Sequence, residues 1–202
     1  MNLNGKIAIV TGGAMGNGRG IAEVFLKLGA TVIILDYSDK LGQTLGELSN
    51  ISKNVVGYKV DITDKDLVKS VVDSIYQKYQ KIDILVNNAG VAKLVRFEDM
   101  SDEIRDFHID INIKGTWNVT KAVYPYMVKN NYGKIVNLSS VTGPKVADPG
   151  EVAYATTKAA LIGFTKRLAM EGVKNNITVN AILPGYIMTP MVEGILIVLL
   201  KV

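Results

Sequence analysis

At 202 residues the chain is long enough for one domain with a substantial core and short for two, and 48% hydrophobic with 21% charged residues is the make-up of an ordinary globular protein. The formal charge of +4 comes from lysines and arginines scattered among acids, not from a basic stripe interleaved with aromatics, which argues against a nucleic-acid partner. With no cysteine, one histidine and no apolar run of the ~18 residues a membrane span needs, the expectation is a cytoplasmic protein without disulfides, a signal peptide, a metal site or a membrane partner.

The first element is a short apolar run, Lys6 to Val10, of the kind found in strands buried on both faces. Thr11-Gly12-Gly13-Ala14-Met15-Gly16-Asn17-Gly18 follows, and Ile21 to Leu28 have helical spacing up to Gly29. Strand, glycine-rich turn and helix in this order suit a pyrophosphate: glycines let the backbone approach it, and the helix N-terminus offers free N–H groups and the positive end of its dipole. Met15 and Asn17 belong to that turn. The next strand, Thr31 to Leu35, ends in Asp36, about 20 residues past the glycines, where a carboxylate accepts hydrogen bonds from ribose hydroxyls and repels a 2′-phosphate. NAD(H) is therefore expected over NADP(H), and Arg19, just inside the helix, is poorly placed to alter that.

A polar helix from about 39 to 50 leads to a third strand, Val55 to Val60, which ends in Asp61-Ile62 where an acid can meet an adenine amino group. A helix over Asp64 to Tyr79 and a fourth strand over Ile82 to Val86 lead to Asn87-Asn88-Ala89-Gly90. Ser101-Asp102-Glu103 opens a long helix to about Lys129 that contains Asn112, with His108 one turn earlier read as structural. The fifth strand, Lys134 to Leu138, delivers Ser139 and Ser140 at its C-terminal end, where ligands bind in open α/β sheets. A helix over 151–173 carries Tyr154 and Lys158, and Ile177 to Leu183 make a sixth strand before Pro184-Gly185-Tyr186-Ile187-Met188-Thr189-Pro190. Strands alternating with helices predict an α/β domain with a doubly wound parallel sheet.

Residues four apart on a helix share a face, about 6 Å from one another, so Lys158 is expected beside Tyr154. An ammonium there favours the phenolate and pulls the tyrosine pKa down from about 10. By itself such a pair is also what a solvated helix face carries.

Taken together in this order, Thr11-Gly12 with Gly16 and Gly18, Asn88-Ala89-Gly90, and Tyr154 with Lys158 resemble the short-chain dehydrogenase/reductase family, over the chain up to Pro190. The resemblance implies a Rossmann fold and an NAD(H)-dependent oxidoreductase interconverting an alcohol and a ketone or aldehyde. It implies Tyr154 as general acid and base, Lys158 as the cation that lowers its pKa and holds the nicotinamide ribose, and Ser140 as the donor to the substrate oxygen, with Ser139 the neighbouring alternative. Asn112 would bind a water in a proton relay from Lys158. Thr189 would hold the carboxamide, with Ile187 at the nicotinamide edge and Pro184-Gly185 beside it. A homo-oligomer, with a dimer through the long helices, is implied as well; a non-catalytic nucleotide-binding protein and an NADP(H)-dependent reductase are the rival readings.

The family pattern goes on past the proline-glycine segment through a substrate-covering loop, a further helix and a seventh parallel strand. Here 1–190 are expected to form the catalytic domain on six strands, with the seventh absent, and 191–202 an atypical apolar tail rich in Ile and Leu from Ile195 to Leu200. Replacement of native sequence, a segment packed over the uncovered region, a sticky end and a substitute strand are alternative readings of that tail. The missing part puts turnover, substrate selectivity and the family's tetramer in doubt.

Overall fold

The computed structural model describes residues 2–193; the tail expected over 195–200 lies outside them. Six strands, β1 (Ile7–Thr11), β2 (Thr31–Asp36), β3 (Val55–Lys59), β4 (Ile84–Asn87), β5 (Gly133–Leu138) and β6 (Ile177–Ile182), form one sheet in the order β3-β2-β1-β4-β5-β6. Every neighbouring pair is parallel. Successive side chains of a strand point to opposite faces, so β1 sends Ile7 and Ile9 to one core and Ala8 and Val10 to the other. The first core is closed by α3 (Lys65–Tyr79) through Val68, Val72 and Ile75 and by α5 (Thr116–Lys129) through Val119, Val123 and Met127. The second is closed by α1 (Gly16–Lys27) through Ala22 and Leu26 and by α2 (Leu41–Leu48). Burial on both faces explains why these strands read as unbroken apolar runs.

The order reverses between β1 and β4, which opens a crevice at the C-terminal ends of the strands. Six parallel strands in doubly wound order match the expected fold, with boundaries displaced by a few residues. The largest displacement is at α1, which starts at Gly16 and not near Ile21: Met15 is extended and Gly16, at φ +54°, turns the chain directly into the helix. The long helix expected from Ser101 to Lys129 is three pieces, α4 (Asp102–His108), a π-helical stretch (Ile109–Gly115) and α5. A π-helical stretch widens the helix locally, a distortion often found at functional sites; Asn112 sits at its middle. Gly115 ends it against Ile62, whose Cδ1 would lie 2.5 Å from an added Cβ. The helix that carries Tyr154 and Lys158 is α6 (Val152–Gly172).

Gly18 sets how closely α1 approaches β1. A Cβ there would fall 2.1 Å from the Gly12 carbonyl oxygen and 2.4 Å from Asn88 Nδ2, so helix and strand must separate to admit one. Gly18→Ala is expected to lose ~1–3 kcal/mol of stability in urea unfolding; a midpoint equal to that of the unmodified protein would contradict this packing.

Candidate active site

Of the residues expected at the site, all but Gly18 and Asn112 line a single cleft of about 710 Å³ at the strand ends, a size that suits a small-molecule site. Its first wall is the glycine turn. Thr11 Oγ1 accepts hydrogen bonds from the backbone N–H of Asn88 and of Ala89, each at 3.0 Å, and Asn88 Nδ2 donates to the carbonyls of Thr11 and Gly12, each at 2.9 Å. The Asn88-Ala89-Gly90 segment thus clamps the turn from the β4 side, and a Cβ on Gly12 would meet Ala89 Cα at 2.8 Å. Gly12 and Gly16 have positive φ, so the turn needs glycine for its backbone as well as for space.

Asp36 ends β2 with both carboxylate oxygens fixed: Oδ2 accepts from Ala14 N–H and Oδ1 from Ser38 N–H, each at 2.8 Å. The charge is therefore held at the cleft wall without a side-chain cation. Arg19 is held elsewhere, in an ion pair with Glu47 at 2.7 Å. Asp61 accepts from the backbone and hydroxyl of Thr63, and Ile62 beside it is buried. Across the cleft, the segment after β6 brings Pro184, Gly185, Ile187 and Thr189 into the lining, with the Thr189 methyl 3.4 Å from where a Cβ on Gly16 would be. A carboxylate, a glycine backbone wall and a facing threonine in one cleft fit a dinucleotide.

The other end gathers Ser139, Ser140, Tyr154 and Lys158. Ser139 and Ser140 both line the cleft at the end of β5, but their hydroxyls do different work. Ser139 Oγ donates to the Lys158 carbonyl at 2.7 Å and so pins β5 to α6, whereas Ser140 Oγ accepts from Thr142 N–H at 3.1 Å and favours ionisation of the nearby Tyr154 phenol. Lys158 is only 5% exposed; its Nζ donates to the Leu138 carbonyl at 2.8 Å and stands 5.6 Å from the centre of the Tyr154 ring. Burial lowers its pKa from 10.5 to about 8, so the amine is still mainly an ammonium at neutral pH.

The expected depression of the tyrosine pKa is not found. Burial pushes the Tyr154 phenol above its ordinary 10, the Ser140 hydroxyl pulls it down, and Glu151 pushes it up again. Spacing puts the lysine on the same helix face, but its amine bonds the Leu138 carbonyl, and desolvation dominates both groups.

Asn112 lies behind the cleft, fully buried. Its Oδ1 accepts from Val91 N–H at 2.8 Å, while Nδ2 donates to the Val91 carbonyl at 3.0 Å and to Thr157 Oγ1 at 2.9 Å. A Cβ on Gly90 would sit 3.2 Å from Asn112 Oδ1 and 3.3 Å from Lys158 Nζ, so Gly90 is the gap through which these two polar groups face each other. His108 is structural: Nε2 accepts from Lys93 N–H at 3.0 Å and Nδ1 is 2.7 Å from the Ile104 carbonyl, which fixes a neutral ring with the proton on Nδ1.

Several residues that matter to the site's shape carry no local signal. A buried chain runs from Thr120 through Asn87 and Asn137 to Thr165, with Asn87 Nδ2 donating to Thr120 Oγ1 (2.9 Å) and Asn137 Oδ1 (2.8 Å), and Asn137 Nδ2 to Thr165 Oγ1 (2.9 Å). It locks α5, β4, β5 and α6 together just behind the strand ends, each bond contributing on the order of 1 kcal/mol. Polar residues at inward positions of otherwise apolar strands were the one hint available.

The family model described as short chain dehydrogenase matches residues 6–196. The chain is 53% identical over 193 residues to "Oxidoreductase UcpA" of Salmonella typhimurium, covering 96% of this chain and 73% of that protein. It is 44% identical over 194 residues to the 3-oxoacyl-[acyl-carrier-protein] reductase FabG of Thermotoga maritima, covering 96% and 78%. Among solved structures, carveol dehydrogenase from Mycobacterium avium in complex with NAD superposes with a TM-score of 0.89 at 32% identity, over 95% of this chain and 74% of that one.

Proposed function

The chain belongs to the short-chain dehydrogenase family and is an oxidoreductase, and from that premise we propose that it interconverts an alcohol and a ketone or aldehyde with NAD(H), using Tyr154 as the proton donor and acceptor. The observation that carries the reading is the meeting of the Tyr154 hydroxyl, the Ser140 hydroxyl and the Lys158 amine in the cleft that also holds the glycine turn and Asp36. The cofactor's pyrophosphate would lie against the Gly12–Gly18 turn with Met15 and Asn17, its adenosine between Asp36, Asp61 and Ile62, and its nicotinamide among Ala89, Gly90, Pro184, Gly185, Ile187 and Thr189. When bound, it supplies or accepts the hydride.

The chain's own residues handle the proton and the charge. As the substrate oxygen becomes negative during reduction, Ser140 and Tyr154 donate hydrogen bonds to it, and Tyr154 then gives up its proton. Lys158, an ammonium at neutral pH, stabilises the phenolate left behind and holds the ribose hydroxyls. Asn112, facing Lys158 across Gly90, supports a water through which the proton is replaced. In oxidation the same groups act in reverse, with Tyr154 as base. The substrate is a small alcohol or carbonyl compound; the absence of cysteine suits a cytoplasmic setting, and no helix among the described residues is long and apolar enough to cross a membrane.

Oxidation of NADH in the presence of ketones and aldehydes, and reduction of NAD with alcohols, test this reading beside calorimetric titration with NADH. Turnover together with binding supports it. Tight binding without turnover on any member of the panel would favour a nucleotide-binding protein instead.

For assembly, a dimer through the long helices is the companion proposal. Trp117 on α5 is 53% exposed and packs against Phe164 of α6, with ring centres 5.1 Å apart, a large aromatic surface on the outer face of both helices. Light scattering is expected to give a dimer at micromolar concentration and a monomer for Trp117→Glu. A monomeric unmodified protein would contradict the assignment.

A further inference from the structure

Glu151 occupies the N-cap position of α6, one turn before Tyr154, and is only 5% exposed. Its Oε2 is buried without a hydrogen-bond partner, one of four such side-chain atoms among the described residues. Residues three and four apart on a helix are neighbours, so Tyr154 stands between two buried ionisable groups on its own helix, the Glu151 carboxyl on one side and the Lys158 amine on the other. We propose that Glu151 is a positioning residue for proton transfer: its carboxyl, through its charge, controls how readily the Tyr154 hydroxyl releases its proton.

The surroundings of Glu151 all bear on that charge. Thr142, from the segment after β5, favours the carboxylate; Asp148, in the loop before α6, opposes it; Tyr154 and Tyr186, the latter from the segment after β6, both feel its field. The Tyr186 hydroxyl donates to Asp148 Oδ2 at 3.1 Å, joining the two segments beside the site. Burial acts most strongly and pushes the carboxyl above its ordinary range, with Asp148 adding to the effect. The dipole at the start of α6 favours a carboxylate there, and burial outweighs it. Once Glu151 ionises, its negative charge makes the phenolate of Tyr154 harder to form.

The inference rests on Tyr154 as the proton-transfer group, but its test needs no turnover, so the two readings fail separately. The ionisation of Tyr154 is read from ultraviolet absorbance of tyrosinate as the difference between each protein and the same protein carrying Tyr154→Phe. Glu151→Gln keeps the shape and removes the charge; the expected result is a half-ionisation point lower by about one pH unit. Glu151→Met, of similar volume, is expected to move it the same way and serves if the Gln variant does not fold. An unchanged or higher half-ionisation point would overturn the proposal. So would failure of both variants to fold, which would assign Glu151 to the structure instead.

Discussion

Tyr154→Phe is expected to lower turnover by ~10²–10⁴-fold, the usual contribution of a positioned acid or base, while NADH binding and the unfolding midpoint change little. Phenylalanine keeps the ring that packs at the start of α6 and removes only the hydroxyl, leaving Ser140 as the remaining donor at the cleft wall. The pH dependence follows from the direction of the shift. Because burial holds the phenol above its ordinary range, Tyr154 stays protonated at neutral pH, the form reduction needs. Reduction should therefore be level through neutrality and fall as pH rises through the tyrosine pKa, whereas alcohol oxidation, which needs the phenolate, should rise over the same interval. Steady-state rates in both directions from neutral pH to beyond pH 11 check this; a variant as active as the unmodified protein would remove Tyr154 from the chemistry.

The second large effect is expected at Asp36. Its carboxylate is fixed at the cleft wall by two backbone N–H groups, with Arg19 drawn away to Glu47. A 2′-phosphate brought beside that charge is expected to be repelled. NADH should thus bind more tightly than NADPH, and Asp36→Ala should weaken NADH by roughly ten-fold or more, the scale of one hydrogen bond to a charged group, while improving NADPH. Asp36→Asn, which removes the charge and keeps the side chain's shape, separates repulsion of the phosphate from loosening of the Ala14 turn. Tighter binding of NADPH to the unmodified protein, measured by calorimetry, would contradict the cofactor assignment.

Much of this architecture is legible along the chain because its signals are local. The apolar run of β1 follows from what a parallel strand buried on both faces requires, and the glycines after it from how closely α1 approaches the strand end. The same holds for placing Tyr154 and Lys158 on one helix face. What local spacing could not supply was the environment: the direction of the Tyr154 shift depends on its burial, and Lys158 Nζ finds its acceptor at Leu138, 20 residues away. The π-helical stretch at Asn112 was hidden for another reason, since a locally widened turn disturbs a 3.6-residue pattern too little to be seen. Asn112 and Thr157 lie 45 positions apart, and Asn87 and Asn137 lie 50 apart, so only folding reveals that each pair shares a hydrogen bond.

These couplings bear on the site through its back wall. Asn112 ties the Gly90–Val91 segment to α6, and Ser139 ties α6 to β5, so the positions of Lys158 and Tyr154 depend on elements far apart in the chain. Preorganisation of this kind lets donors act on developing charge without rearranging during the reaction.

The most direct measurement follows the hydride and the proton donor together. NADH dideuterated at C4 of the nicotinamide is incubated with a reducible ketone, and the product is analysed by mass spectrometry. Deuterium on the carbinol carbon of the alcohol, at a rate that collapses in Tyr154→Phe, is the predicted result. NADH consumed with no deuterium on that carbon, or transfer undiminished by the substitution, would contradict it.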